Sequence, residues 1–102
     1  EKLHLIGCRM VPKAQAEAVI MELPAAAIET LAEEEHKSWI KERLASGWTL
    51  RRGERADPAR KTSPYLIPYG QLPEDVKELD RDAVRNIPAL LDAIGMAVVL
   101  GD

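Results

Sequence analysis

The sequence contains no phenylalanine and only one cysteine among 102 residues. With just two tryptophans and two tyrosines, the core must be built mainly from alanine, leucine, isoleucine and valine. The single Cys8 cannot form an internal disulfide, which fits a reducing compartment, so we expect a cytoplasmic protein. The length is that of one domain with a modest core.

Long apolar runs and a strong charge bias are also missing. No apolar stretch approaches the ~20 residues of a membrane span, and no signal-peptide pattern opens the chain. The net charge is -3, whereas a general nucleic-acid binder usually has a basic average. Because the first residue is Glu rather than Met, we interpret the sequence as a fragment of a longer protein.

The patterns that mark catalytic or metal sites are not found. His36 follows three glutamates, but a metalloprotease motif needs a second histidine four residues later, where Ile40 stands. His4 and Cys8 have the same spacing, yet two ligands are too few for a zinc site. Ser63 has no identifiable base, and there is no Gly-rich phosphate loop. We therefore predict no enzyme activity, no metal and no cofactor, and we interpret His36 as a hydrogen-bonded core residue.

Hydrophobic periodicity predicts one long helix over Ala25–Ser46. Pro24 suits the start of a helix, and Gly47 can end it in a left-handed conformation. Before this helix we predict a short strand around Arg9–Val11 and a connector over residues 13–23. The residues that fall near one stripe of the helix are Ile28, Leu31, Ala32, His36, Trp39, Arg43 and Leu44.

The second half of the chain combines a proline-rich loop with shorter helices. Four prolines and two glycines over residues 48–73 exclude a long helix or a central strand, and interspersed apolar residues indicate an ordered loop. We predict a short helix to about Leu79 and a second from about Asp80 to Ile94, kinked near Asn86. The segment "MAVVL" predicts a closing strand. The expected fold class is mainly α with a minor β element (α+β).

The segment "SGWTLRRGERADPARK", residues 46–61, carries five basic residues against two acidic ones. It is therefore net +3, so that the rest of the chain sums to -6. Its tryptophan could be a core residue and its cations a solvated face. Together they also suit a planar base carrying phosphate, because the base stacks and guanidinium groups bind oxyanions in pairs. The candidate ligand-binding residues are Trp48, Arg51, Arg52, Arg55 and Lys61, with Tyr69 as a second wall.

An internal echo links the two ends of the chain. "LIGCRMVP" near the start and "AIGMAVVLG" near the end share Ile-Gly, three residues and Val. Both look like a glycine that ends a helix and is followed by a strand. The match is either chance or a sign that residues 1–12 are the tail of a preceding copy of this domain.

Several spaced motifs over about residues 24–100 resemble the ryanodine-receptor repeat, or RyR domain. The bacterial form of the repeat is the more similar. Three positions depart from the family pattern, namely Leu50, Ala56 and Ser63, and no ligand role is assigned to them. The motifs are Glu35-His36-x-x-Trp39, Leu44-x-x-Gly47-Trp48, Lys61-x-x-Pro64-x-Leu66, Leu72-Pro73 and Asp80-Arg81-x-x-Val84-Arg85-x-Ile87-Pro88.

The resemblance implies a division of the chain into three segments and the kinds of domain attached to it. Residues 1–12 would be the tail of a preceding repeat or an N-terminal strand, residues 13–23 a connector, and residues 24–102 the RyR domain. Bacterial members are similar in being attached to a Rossmann-type domain, often after a degenerate first copy. In ryanodine receptors the paired repeats are implicated in adenine-nucleotide binding, and by the motif match Trp48 inherits that role.

We therefore predict a non-enzymatic sensory or ligand-binding module for a nucleotide-like anion in a larger bacterial signalling or defence protein. The alternative is an interaction or oligomerisation module whose basic loop docks on a neighbouring domain or subunit. A homodimer would supply a second tryptophan to sandwich a ligand. The residues expected to hold the fold are Glu35, His36, Trp39, Arg81 and Arg85, with either arginine as the partner of Glu35 and with Trp39 mostly buried.

Overall fold

The computed structural model describes residues 2–101 and has the expected mainly α architecture with a minor β element. The longest helix, α1, spans Ala25–Ala45 and confirms the helix predicted from periodicity. It begins after Pro24, and it ends where Gly47 adopts the left-handed φ of 88° that a residue without Cβ tolerates.

The following helices differ from the prediction in one respect. Helix α2 runs without interruption over Glu74–Arg85, so the expected break at Leu79 and Asp80 is wrong. No helix breaker stands there, and acidic residues in the first turn favour the helix N-terminus. The break near Asn86 is confirmed, since α3 begins there and spans Ile87–Ala93. Pro88 is tolerated in its first turn because a backbone N–H at that position would have no intrahelical partner.

Two small sheets complete the fold. Strands β1, Cys8–Pro12, and β4, Met96–Leu100, pair antiparallel and confirm both predicted strands. Inside the proline-rich loop, β2, Thr49–Leu50, pairs in parallel with β3, Thr62–Ser63. Short 3₁₀ helices cover Lys2–Ile6, Lys13–Gln15 and Tyr69–Gln71.

The core lies between α1, α2 and the β1–β4 sheet. Ile28 and Leu31 of α1 are buried there together with Val84 of α2, and Leu91 of α3 is partly buried against them. Trp39 is largely but not fully buried, as expected. Its ring contacts a histidine and an arginine of its own helix at the edge of the core.

Residues 2–12 pack into the same core as the rest of the domain. Leu3 and Cys8 belong to the buried cluster, and β1 completes the sheet with β4. Their assignment to a preceding repeat remains a prediction. No helix within residues 2–101 is both long and apolar enough to cross a membrane.

Candidate functional site

A stack of side chains runs along the C-terminal half of α1. The rings of His36 and Trp39 are stacked with centroids 5.6 Å apart and an interplanar angle of 18°. The guanidinium of Arg43 lies 5.5 Å from the ring centre of Trp39 and 5.0 Å from that of Trp48. Spacings of three and four residues place the first three side chains on one face of the helix.

The end of α1 brings Trp48 back to this stack. Gly47 N donates to Leu44 O at 3.1 Å, and Trp48 N donates to Arg43 O at 3.0 Å. These are the two hydrogen bonds of a Schellman motif, which requires the left-handed glycine between them. The chain reversal therefore sets the indole of Trp48 against the side chain of Arg43.

Arg43 is a cation without a counter-ion in the part of the chain that the structure describes. Its side chain forms no hydrogen bond or ion pair with any of residues 2–101, and its Nε is buried without a partner. Contact with two indoles stabilises a guanidinium, but it does not satisfy the N–H groups. The site therefore presents a positioned, half-buried cation with unused donors.

The basic loop is attached to this end of the helix by backbone hydrogen bonds. Thr49 N donates to Lys61 O at 2.9 Å, and Arg51 N donates to Ser63 O at 3.1 Å. Asp57 closes the far turn, where its Oδ1 accepts from the backbone N of Ala59 at 3.1 Å. The loop is therefore held at its base and at its tip.

The structure places the predicted cations in two different situations. Arg51, Arg52 and Arg55 are exposed, and none of their side chains pairs with another of residues 2–101. Lys61 is instead turned to the helix end, where its Nζ donates to Ser46 O at 3.1 Å, and it holds a left-handed φ of 56°. Lys61 therefore caps the C-terminal end of α1.

Tyr69, predicted as a second wall, lies in the core. Its hydroxyl donates to Glu29 Oε2 at 3.2 Å, and its ring is 6.3 Å from that of His36. Burial raises the pKa of the hydroxyl, and the Glu29 carboxylate adds to the effect. Tyr69 therefore packs against α1 through Glu29 and His36. No ring contact joins it to Trp48 in the part of the chain that the structure describes.

His36 lines a small cleft of about 110 Å³ together with Trp39, Tyr65, Val76, Leu79 and Asp80. It is 4% exposed, and its Nε2 donates to Ile67 O at 2.7 Å. A carbonyl only accepts, so Nδ1 of the neutral ring is left as an acceptor, 3.9 Å from Asp80 Oδ2. Burial raises the pKa of the Asp80 carboxyl. These two polar groups lie beside Trp39.

The predicted partnership of Glu35 with Arg81 or Arg85 is wrong. Glu35 pairs with Lys2 at 2.8 Å, whereas Arg81 bonds Glu29 of α1. Glu29 and Glu35 are six residues apart, which is about 240° around the helix, so only one of them can face α2. Arg81 also reaches Glu74 at 3.0 Å and Glu78 at 3.2 Å. Arg85, the other predicted partner of Glu35, bonds Glu78 and Asp82.

Sequence reasoning missed Arg43 and Glu29 as members of these clusters. The spacing from Trp39 to Arg43 could have suggested a contact, but the return of Trp48 depends on the chain reversal. No group of three His, Cys, Asp or Glu side chains within residues 2–101 could hold a metal ion.

The fold and the site define a small helical module whose long helix ends in a stacked aromatic and basic cluster. The family model of the RyR domain matches residues 15–100. The chain therefore belongs to the RyR domain family, as its motifs indicated.

Proposed function

We propose that this RyR domain is a non-enzymatic sensory or ligand-binding module for a nucleotide-like anion. The observation that carries the proposal is the guanidinium of Arg43, which lies between Trp39 and Trp48 and has no hydrogen-bond or ion-pair partner among residues 2–101. A buried donor without an acceptor costs ~1–3 kcal/mol, and a bound oxyanion would remove part of that cost. Arg–phosphate contacts are also among the stronger hydrogen bonds.

The surroundings of Arg43 favour a ligand that is flat at one end and anionic at the other. Arg51, Arg52 and Arg55 supply further unpaired cations on the adjoining loop. The cleft beside Trp39 supplies the opposite chemistry, because the Asp80 carboxylate accepts hydrogen bonds, as does His36 Nδ1 when the ring is neutral. An amino group on a planar base is a suitable donor for that cleft, and aromatic side chains suit the base itself.

The setting of the module follows from the resemblance to bacterial RyR proteins. We propose a cytoplasmic signalling or defence protein of bacterial type, in which a Rossmann-type domain accompanies the RyR domain. A homodimer would place a second Trp48 opposite the first.

Isothermal titration of this chain with AMP, ATP and cyclic di-AMP tests the proposal. Arg43→Met keeps the length of the side chain and removes the charge. It should weaken binding at least about tenfold, since a hydrogen bond to a charged group contributes ~1.5–3 kcal/mol. The matched control is Lys41→Met, which removes an exposed cation without a described partner two residues away. The control should change affinity less than about twofold.

Two results would contradict the proposal. One is the absence of heat and of any thermal stabilisation with all three nucleotides, because a ligand of the folded state must raise stability. The other is binding that Arg43→Met and Lys41→Met weaken equally, which would reflect only the general charge of the surface.

The interaction module remains the second candidate because apolar side chains flank the stack. Leu44 is 57% exposed and Leu50 is 38% exposed, and they stand before and after Trp48 in the sequence. Exposed apolar residues next to unpaired arginines are typical of protein interfaces. The interaction-module function is supported if no nucleotide binds and Leu44→Glu disrupts an assembly of the natural protein.

A further inference from the structure

A cavity of about 540 Å³ lies between the β1–β4 sheet and the connector that precedes α1. The sheet contributes Arg9 and Val11 of β1 and Val99 of β4 to its lining. Arg9 pairs directly with Val99 in the antiparallel register, and residues two apart on a strand share a face. One wall of the cavity is therefore a single face of the sheet.

The connector forms the opposite wall. It leaves β1 through the 3₁₀ helix Lys13–Gln15 and returns to the sheet at Ile20, whose N donates to Val98 O at 2.8 Å. The side chain of Ile20 is partly buried against the core. The connector wall is therefore fixed to the sheet at both of its ends.

The connector carries backbone donors that the fold does not use. The N–H groups of Glu17, Ala18 and Val19 form no hydrogen bond with any of residues 2–101. They lie after the end of the 3₁₀ helix and before the start of α1, so no helical ladder includes them. All three residues line the cavity. These N–H groups are therefore available to an acceptor that enters it.

Two side chains of opposite charge also line the cavity, Arg9 on the sheet and Glu17 on the connector. Neither side chain has a hydrogen-bond or ion-pair partner within residues 2–101. They do not pair with each other, so their charged atoms are more than 4.0 Å apart. One molecule that carries both an anion and a cation can satisfy the two side chains together.

The remaining side chains of the lining are mainly aliphatic. Val11 and Val99 lie on the sheet wall, and Val19, which is 42% exposed, lies on the connector wall. Covering them would remove apolar surface from water. No aromatic side chain among residues 2–101 lines the cavity, so it offers a planar base nothing to stack on. The lining therefore suits a small aliphatic group.

We propose that this cavity binds a free aliphatic α-amino acid. The carboxylate accepts hydrogen bonds from Arg9 and from the connector N–H groups, the ammonium donates to Glu17, and the side chain packs on the valines. The volume falls within the ~300–1,000 Å³ of small-molecule sites. The cavity shares no lining residue with the Arg43 stack, so this proposal and nucleotide binding succeed or fail separately.

Isothermal titration of the 102-residue chain with L-leucine tests the proposal. Arg9→Gln and Glu17→Gln should each weaken binding at least about tenfold, because each removes a hydrogen bond between charged groups. Glu22→Gln is the matched control, since Glu22 is an exposed connector residue outside the cavity without a partner in residues 2–101. It should change affinity less than about twofold. Because Arg9 and Glu17 are exposed, both variants should melt as the parent does.

Two analogues of leucine test the need for both charges. Isocaproate lacks the amino group, and isoamylamine lacks the carboxylate. Each should bind at least about tenfold more weakly than L-leucine, since each leaves one of the two charged side chains without its partner.

Three outcomes would overturn the proposal. The first is the absence of heat and of thermal stabilisation with L-leucine at millimolar concentration, because a ligand of the folded state must raise stability. The second is a loss of affinity in Glu22→Gln equal to that in Glu17→Gln. The third is isocaproate or isoamylamine binding as tightly as L-leucine, which would show that the cavity does not recognise a zwitterion.

Discussion

The contact between Arg43 and Trp48 depends on a glycine. The left-handed Gly47 reverses the chain after α1, and this reversal returns Trp48 to the side chain of Arg43. The guanidinium then contacts two indoles without an acidic partner among residues 2–101. No charge from the loop is needed for this arrangement, because the cation comes from the helix itself.

The burial of individual side chains predicts how the domain responds to truncation. Leu31 is 1% exposed in the centre of the core, so Leu31→Ala should lower the free energy of unfolding by ~2–5 kcal/mol. Leu90→Ala, on the exposed side of α3, should change it by less than ~0.5 kcal/mol. Urea unfolding of the two variants in the 102-residue chain measures the difference. Equal losses would place Leu31 outside the core.

At the scale of the elements, α1 and its limits could be predicted from sequence, whereas its ion pairs could not. The helix is bounded by Pro24 and Gly47, and each acts through its own backbone geometry. The partner of Arg81 depends on the rotation of α1 against α2, which selects Glu29 rather than Glu35. That rotation is set by tertiary packing and leaves no local signal in the sequence.

The network around Arg81 predicts a loss of stability in acid. Hydrogen bonds from Arg81 lower the pKa of Glu29 and of Glu74, and those from Arg85 and then Arg81 lower the pKa of Glu78. A lowered folded-state pKa stabilises the fold above the ordinary glutamate pKa of 4.5, and this contribution disappears as pH falls through the folded values. Asp80, whose pKa burial raises, acts in the opposite direction.

Thermal melting between about pH 3 and pH 7 tests this network. The parent should lose stability below pH 4.5, and Arg81→Met should show a flatter curve because its glutamates are less perturbed. Arg60→Met is the control, since Arg60 lies far along the basic loop and, among residues 2–101, its guanidinium pairs only with Asp57. An Arg81→Met curve parallel to that of the parent would contradict the role of the network.

At the scale of the whole molecule, the chain is more extended than its length requires. Its radius of gyration is 16.0 Å, compared with about 13 Å for a compact chain of 100 residues. The sequence echo suggested that residues 1–12 come from another repeat, but it could not show that they would fill this domain's core. That result depends on the register of β1 with β4, which is a long-range pairing.

A variant lacking residues 1–12 should fail to unfold cooperatively, although the family match begins only at residue 15. It loses Leu3 and Cys8 from the core and uncovers the otherwise buried Val98. Removing one buried leucine costs ~2–5 kcal/mol, and the whole domain has only ~5–15 kcal/mol. Leu3→Ala is the control, expected to melt lower but still cooperatively. A shortened chain with the melting curve of the parent would refute the structural role of β1.

The stack on α1 also simplifies the interpretation of the domain's tryptophan fluorescence. The chain has two tryptophans, and both contact the same guanidinium. Intrinsic tryptophan emission therefore reports on one end of one helix and on nothing else in the sequence. An anion that draws Arg43 away from the indoles would change that emission directly, so the domain carries its own unlabelled reporter of occupancy.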